Sequence, residues 1–456
     1  MRSYGTCCYG VRAPIIRPGD DLVNIVADSV LNVVSEKELL LKEKDIVAVT
    51  EAVVAKSQNN FATEEDIARD VKAKMGDGKV GLIFPILSRN RFSGILKGIC
   101  DGVQELVIQL SYPFDEVGNP LVSIDKLYDL GVSKFDRTFT AEEFYDLVGS
   151  VEHTFTGMDY IKTYLEICKG KATIILSNDP LEILKYTKKV INADIHSRNR
   201  TKKLLLASGA EKVLSLSDIL CEPSKEHGYH ELYGVLGSNK SKDGVIKLFP
   251  RGGKEFVENL QAELRKRTGI KLECMVYGDG AFKDPVGGIW ELADPVVSPA
   301  FTDGLAGTPN EIKLKYVADN DLENARGEEA VSKMKDLILH KESDLKNKNI
   351  SLGTTPRRIT DLVGSLCDLT SGSGDKGTPI VLITGYFDNF ATEWKLPLIL
   401  QNCKQKAHTR LRHSKPKRVF PLFFCLNGNF RSVVPTEIMK HWCFEISNSN
   451  SQSFTD

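Results

Sequence analysis

The chain of 456 residues has no charge excess of either sign: 60 Lys and Arg stand against 61 Asp and Glu, for a formal net charge of −1. That balance excludes a global attraction to nucleic acid or to an anionic membrane and leaves only local patches. No run of about 18 apolar residues occurs, so no membrane-spanning helix is expected. The opening stretch MRSYGTCCYGVRAPIIRPGDD meets acidic residues early and has no apolar centre of the signal-peptide kind. The ten cysteines lack C-x-x-C spacing, which argues against zinc or redox centres and for reduced thiols in a soluble cytoplasmic protein. A G-x-S-x-G elbow and an H-E-x-x-H helix are absent. Gly372-SGDKG-Thr378 does not complete a phosphate loop, because no Lys follows its second glycine at the required place, and it reads as a linker.

Hydrophobic residues make up 41% and charged residues 27%, an ordinary globular mixture with enough apolar mass for a sizeable core. The length exceeds what one core usually sustains, so two lobes with appendages are expected. The pattern is α/β alternation. A strand is expected over 13–16, then a helix from Asp20 or Asp21, where Leu22, Ile25, Val26, Val30 and Val33 recur at helical spacing. The apolar run 45–56 reads as a long strand or strand pair. A helix follows over 63–74, with Thr63 and Asp66 spaced as a capping box. Strands near 80–84 and 105–110 flank a helix over 93–103. Residues 111–170, richer in Gly, Pro and aromatics, read as a lid-like insertion with short helices near 141–148 and 159–168. Alternation resumes with strands at 172–177, 245–249 and 271–277 and helices at 196–206 and 254–268. Further on come a strand over 311–317, helices over 321–346 and 356–367, and a strand over 380–384. After residue 395 the character changes: 404–418 carries seven Lys or Arg and two His, so 396–456 reads as an appended basic tail. That tail is the one place where nucleic-acid affinity is conceivable.

The densest set of polar groups is Met275-VYGDGAFKDPVGGIWELADP-Val296, a strand running into a glycine-rich loop. A carboxylate between glycines at the C-terminal edge of a strand lets a hard cation and phosphate approach the backbone. Asp279 and Asp284 are therefore candidate metal ligands, and Asp279, Lys283 and His196 candidate catalytic residues; as turn formers the aspartates have a purely structural reading as well. In Tyr233-GVLGSNKSKD-Gly244, Ser238, Asn239 and Lys240 are placed to cradle phosphate oxygens, or simply form a solvated loop. The triplet Arg-Asn-Arg occurs at 89–91 and 198–200, each time near the start of an expected helix. Arg89, Arg91, Arg198 and Arg200 are accordingly candidate anion-binding residues, with a solvated helix face as the alternative.

Four blocks, Pro14-IIRPGDDLVNIVADSV, Asp45-IVAVTEAVVAKSQ, the stretch from Gly237 to Gly280, and Pro379-IVLITGYFDN, resemble in order those of the coenzyme F420-0:L-glutamate ligase family. The resemblance runs discontinuously from about residue 10 to 392, with a ligase-like domain expected over 10–395. It implies a two-lobed α/β homodimer that joins an amino acid to an acidic or phosphorylated small-molecule acceptor, using GTP or ATP and Mg²⁺ or Mn²⁺. Asp279 matches the metal-binding aspartate of the family's S-D-T-F-G-R block, and Ser238 and Asn239 match the end of its G-I-D-x-S-N block. The aspartate of that second block falls on Leu236, and Asp284, Asp294 and Asp319 are the possible substitutes. A non-catalytic anion- or nucleotide-binding protein that keeps the fold is the alternative to a ligase.

Overall fold

Two sheets with separate apolar cores organise the chain. The computed structural model describes residues 4–153, 156–278, 282–283, 290–291, 298–354, 357–371 and 375–392. The first segment holds β1 (Cys7–Val11), α1 (Leu22–Glu36), β2 (Ile46–Thr50), α2 (Glu51–Ser57), β3 (Phe61–Thr63) and α3 (Glu64–Met75). The second holds β4 (Lys79–Ile83), α4 (Ser93–Asp101), β5 (Glu105–Leu110), α5 (Ile124–Asp129), β6 (Phe139–Thr140), α6 (Ala141–Val148), α7 (Tyr160–Cys168), β7 (Ala172–Leu176), β8 (Lys189–Asn192), α8 (Arg198–Ala207) and β9 (Lys212–Ser215). The third holds β10 (Asn239–Lys242), β11 (Val245–Lys247), α9 (Gly253–Thr268), β12 (Glu273–Tyr277), β13 (Phe282–Lys283), β14 (Trp290–Glu291), β15 (Ala300–Phe301), α10 (Leu314–Asp319), α11 (Gly327–Leu339), α12 (Ile359–Ser371) and β16 (Ile380–Thr384).

The first sheet has the order β1-β16-β2-β12-β15, with β2 and β12 parallel and the other pairs antiparallel. Its strands are apolar on both faces because both are covered. Val47, Val49, Cys274 and Val276 pack with residues of α1 and α9, while Ile46, Ala48, Met275 and Tyr277 pack with Val363 and Cys367 of α12. Fully burying each such side chain contributes roughly 1.5–3 kcal/mol before entropy is counted.

The second sheet has the order β6-β7-β5-β4-β8-β9 and is parallel except for β6. Relative to β4, the next strands in sequence, β5 and β7, lie on one side, and β8 and β9 on the other. The helix after β4 joins the core with Ile95, Leu96 and Ile99. The helix after β8 buries Leu205 in a different cluster with Ile83, Val107 and Val190. The connections from β4 and β8 thus leave toward opposite faces, which defines a topological switch point between them.

Several expected elements sit at their expected places. Asp21 caps α1, accepting from Asn24 N–H at 3.2 Å, and Thr63 and Asp66 form a reciprocal capping box. Others differ. The stretch 13–16 is not a strand: β16 is already paired along its length by Cys7–Val11, and Pro14 has no N–H to donate. The run 45–56 divides into β2 and α2, because the ladders to β12 and β16 reach no further than Thr50. The strand expected over 311–317 is replaced by α10, whose Val317 packs with Leu322 and with Met334 and Ile338 of α11. Residues 111–170 form the crossover from β5 to β7 and supply Leu127, Phe144, Ile161 and Tyr164 to the same core as β4 and β5. The basic tail 396–456 lies outside the described residues.

Candidate active site

The parallel strands β2 and β12 end flush, with Thr50 opposite Tyr277. The next residue after β2 is Glu51, which opens α2, and at 5% exposure it is buried. Its partner comes from a separate small sheet, β10-β11-β3, where Lys247 closes β11. Lys247 Nζ donates to Glu51 Oε1 at 2.5 Å, a buried ion pair between residues 196 apart in the chain. Glu51 Oε2 is also buried but has no hydrogen-bond partner among the described residues. Tyr277 faces the same place. Burial, with the Cys367, Asp368 and Glu51 charges adding, pushes its phenol well above the ordinary tyrosine range, while Ser371 opposes the shift.

Asn60 fixes the sheet that carries Lys247. Fully buried just before β3, it donates to the carbonyls of Phe249 at 2.6 Å and Tyr229 at 3.1 Å and accepts from Tyr229 N–H at 3.1 Å. Gly228 is required beside it, since a Cβ there would meet Asn60 Oδ1 and the Phe61 backbone at 2.7 Å. Across β10-β11, Asn239 is the register partner of Lys247, so their side chains share one face. Ser238, just before it, is buried, and its hydroxyl has no partner among the described residues. Lys240 is exposed and paired with Asp243 at 2.7 Å. Leu236 is 2% exposed and packs in the apolar cluster of the second sheet.

The same hairpin touches the second sheet: Lys240 N–H donates to the carbonyl of Asn90 at 2.8 Å. Asn90 lies in the loop after β4, between Arg89, which is exposed, and Arg91, which is half-buried. The Arg89 guanidinium stands near His153 and Tyr160; burial first, and then this charge, holds His153 below the ordinary histidine range. The loop after β8 carries His196, exposed, followed by Arg198 and Arg200. Arg198 bends back to the carbonyl of Ile195.

Two acids after β5, Asp115 and Glu116, join these loops at the switch point. Asp115 is fully enclosed and accepts from Leu87 N–H at 2.9 Å, Val117 N–H at 3.1 Å, and the Asn119 N–H and carboxamide at 2.8 Å each. Burial pushes it up to about 6 against the pull of those donors. Glu116 accepts three successive amides: Ile195 at 2.6 Å, His196 at 3.0 Å and Ser197 at 2.7 Å. It therefore occupies, with the chain's own carboxylate, the backbone nest that opens α8. Asp194 lies beside Glu116 and accepts from Thr201 Oγ1 at 2.5 Å. Burial, followed by the neighbouring Glu116, pushes Asp194 up to about 7.

The sequence-expected residues thus fall into two linked groups. Lys240, which follows Ser238 and Asn239, meets the Arg89–Arg91 loop directly through Asn90, and the loop after β4 is tied to the loop carrying His196, Arg198 and Arg200 through Asp115 and Glu116. Asp279 and Asp284 lie outside the described residues. Lys283 belongs to the short β13-β14 hairpin, opposite Trp290. Asp319 ends α10 and is exposed. Four residues escaped sequence reading: Glu51, Lys247, Asp115 and Glu116. The visible signals were a charge interrupting each apolar run, in IVAVTEAVVA and VIKLF, and an acid pair in the loop that follows a buried strand.

An α/β protein whose polar groups gather at the C-terminal ends of parallel strands has the general layout of an enzyme or ligand-binding protein. The chain belongs to the F420-0:gamma-glutamyl ligase family, whose model matches residues 10–385. That is a family of ligases of the carbon–nitrogen bond-forming type. No curated protein matches the chain. Among the described residues no helix is long and apolar enough to cross a membrane, and no group of three or more His, Cys, Asp or Glu is assembled as a metal site.

Proposed function

We propose that this protein joins an amino acid, glutamate in the first instance, to a small carboxylic acid through an acyl phosphate, consuming GTP or ATP with Mg²⁺ or Mn²⁺. Family membership supports the bond type. The single structural observation behind the reading is the buried Glu51–Lys247 pair with its unpartnered carboxylate oxygen at the ends of β2 and β12. An unsatisfied buried anion is costly, so it is retained where a ligand completes it.

In the first step an acceptor carboxylate oxygen attacks the γ-phosphorus and the nucleoside diphosphate leaves. In the second, the amine nitrogen attacks the acyl carbon, inorganic phosphate leaves and the nitrogen loses a proton. Charge accumulates on phosphoryl oxygens in the first step, and Lys247, Lys240 and the Ser238–Asn239 turn are the groups of this chain suited to hold it. A divalent cation, when bound, offsets triphosphate charge; Glu51 and Ser238 are oxygen donors of the kind it takes, and Asp279 is the further candidate ligand. Lys283 and His196 are candidate proton carriers. Arg89, Arg91, Arg198 and Arg200 are candidates for holding an acidic acceptor or its phosphate.

The test is a thermal-shift series with GTP and ATP, each with and without Mg²⁺ or Mn²⁺, followed by phosphate release in mixtures of carboxylic acids with glutamate. A metal-dependent shift lost in Asp279→Asn, and phosphate release that requires both organic substrates, are expected. Leu236 favours one second reading. A leucine buried in an apolar cluster cannot ligate a metal at the position of a family aspartate, which suits a protein that binds nucleotide or phosphate without ligation. Binding without turnover across all mixtures would select it.

A further inference from the structure

Cysteine spacing along a chain speaks only for local pairs, and here the fold brings two distant thiols together. Cys100 is the penultimate residue of α4 and Cys168 the last of α7, 68 positions apart. The two helices pack against each other next to the loop that carries Arg89 and Arg91. Phe92, just before α4, meets Tyr164 of α7 with ring centroids 6.0 Å apart, and the Tyr164 hydroxyl holds that loop at Ile86 and Ser88. At the other ends of the helices the Cys100 thiol donates to the Cys168 carbonyl at 3.7 Å. Both side chains are 1% exposed, yet Asp101 and residues 169–171, which follow them, lie at the surface. The last turn of a helix frays before the core opens, so a small reagent reaches both sulfurs in the folded protein.

The surroundings treat the two thiols unequally. The Cys168 thiol, donating to the Cys100 sulfur, lowers Cys100 below the ordinary thiol range; burial and Asp101 oppose this, and Lys171 and Lys97 assist it. That same hydrogen bond, followed by burial, pushes the Cys168 thiol far up. The thiolate is the reactive form of cysteine, so Cys100 is the attacking sulfur and Cys168 the one that resolves. Thiols in contact also meet the first condition for a disulfide, that the two side chains point toward each other.

We infer that Cys100 and Cys168 form a reversible intramolecular disulfide on exposure to a small hydroperoxide, and that this bond clamps the end of α4 to the end of α7. With hydrogen peroxide, the Cys100 thiolate attacks one oxygen, the O–O bond breaks, and the departing hydroxide takes up the proton that Cys100 had lost. Cys100 is left as a sulfenic acid. The Cys168 sulfur then attacks the Cys100 sulfur, the S–O bond breaks, and the Cys168 proton leaves with the hydroxyl as a second water. Two thiols are oxidised by two electrons and one peroxide is reduced to two waters. A thiol reductant reverses the bond by exchange. The clamp is independent of the proposed ligation: it joins the two helices that carry and brace the Arg89–Arg91 loop, whatever that loop binds.

The test treats the folded full-length chain with a slight excess of hydrogen peroxide, blocks remaining thiols with iodoacetamide under denaturing conditions, and maps the digest by mass spectrometry without reductant. A cross-linked peptide pair joining Cys100 to Cys168, two hydrogens lighter than the sum of its parts and abolished by dithiothreitol, is expected. Alkylation of both residues while other cysteines oxidise overturns the inference, as does their pairing with any other cysteine or their recovery only as sulfinic or sulfonic acids. In Cys168→Ala the sulfenic acid has nothing to resolve it, so a dimedone adduct at Cys100 is expected, and its absence removes Cys100 from the attacking role. If that variant does not fold, the wild-type peptide map decides alone. Hydrogen exchange then reads the clamp: amides of 93–101 and 160–168 are expected to exchange at least about threefold more slowly in the oxidised protein. A disulfide that leaves those rates unchanged overturns the clamp.

Discussion

Acidic side chains gather at the strand ends of both sheets, and the two gatherings are treated differently. At the switch point of the six-stranded sheet every oxygen of Asp115, Glu116 and Asp194 accepts a hydrogen bond, eight of those bonds coming from backbone or carboxamide donors of the three surrounding loops. At the end of β2 in the five-stranded sheet, Glu51 has one oxygen satisfied and one not among the described residues. The first set behaves as internal scaffolding, a local carboxylate substitute for the ligand that such a crevice otherwise takes. The second keeps a vacancy in its hydrogen bonding. The two sets of carboxylates thus differ in whether the described fold completes their hydrogen bonding.

The largest effect that breaks this comparison is expected at Lys247. Lys247→Met strips the buried Glu51 side chain of its partner among the described residues and should cost about 3–5 kcal/mol of stability in urea unfolding, largely restored by adding Glu51→Gln. An additive double mutant would show that the pair is not coupled. Next comes Glu116→Ala, which leaves three amides of the α8 nest without their acceptor and should cost about 3 kcal/mol, with hydrogen exchange of residues 195–197 accelerating before the rest of the sheet. A change confined to the global rate would mean that Glu116 does not latch these loops. Tyr164→Phe is smaller. It removes a hydroxyl that donates to the Ile86 carbonyl at 2.5 Å and accepts from Ser88 N–H at 3.2 Å, a loss of about 1–2 kcal/mol that loosens the Arg89–Arg91 loop.

The smallest effect is a pH slope. Asp194 ionises near its ordinary 3.8 when unfolded and near 7 in the fold, where burial and Glu116 favour its protonated form. Between those values the native state holds the extra proton. The stability from this group is therefore fully present below about 4 and is lost as pH rises through about 7. Asp194→Asn, which keeps a donor toward Glu116 and an acceptor for Thr201, should flatten that slope and gain on the wild type at pH 8, as read by thermal melts from pH 4 to 8. A parallel pair of curves would place the proton elsewhere.

Local chemistry accounts for what could be read without coordinates. Capping by Asp21 and by Thr63 with Asp66 depends on residues three apart, the strand Ile380–Thr384 opens on an unbroken apolar run, and the helix Ala141–Val148 places Ala141, Phe144 and Val148 on one buried side. The divided run 45–56 was ambiguous because apolar residues fit a strand or a buried helix equally well; the partners β12 and β16, more than 200 residues away, decide where pairing stops. The short strands β8 and β9, four residues each, leave too little pattern to recognise.

The amino-acid sequence by itself determined the α/β rhythm, the capped helix starts and the ordered blocks of the F420-0:gamma-glutamyl ligase family. Only the tertiary structure decided that Glu51 meets Lys247 across 196 residues, and that Glu116 reaches the amides of residues 195–197. Capping and periodicity are set by neighbours a few bonds apart and leave a local trace. A buried charge finds its partner through the packing of distant segments, and nothing in either segment alone records which partner that will be.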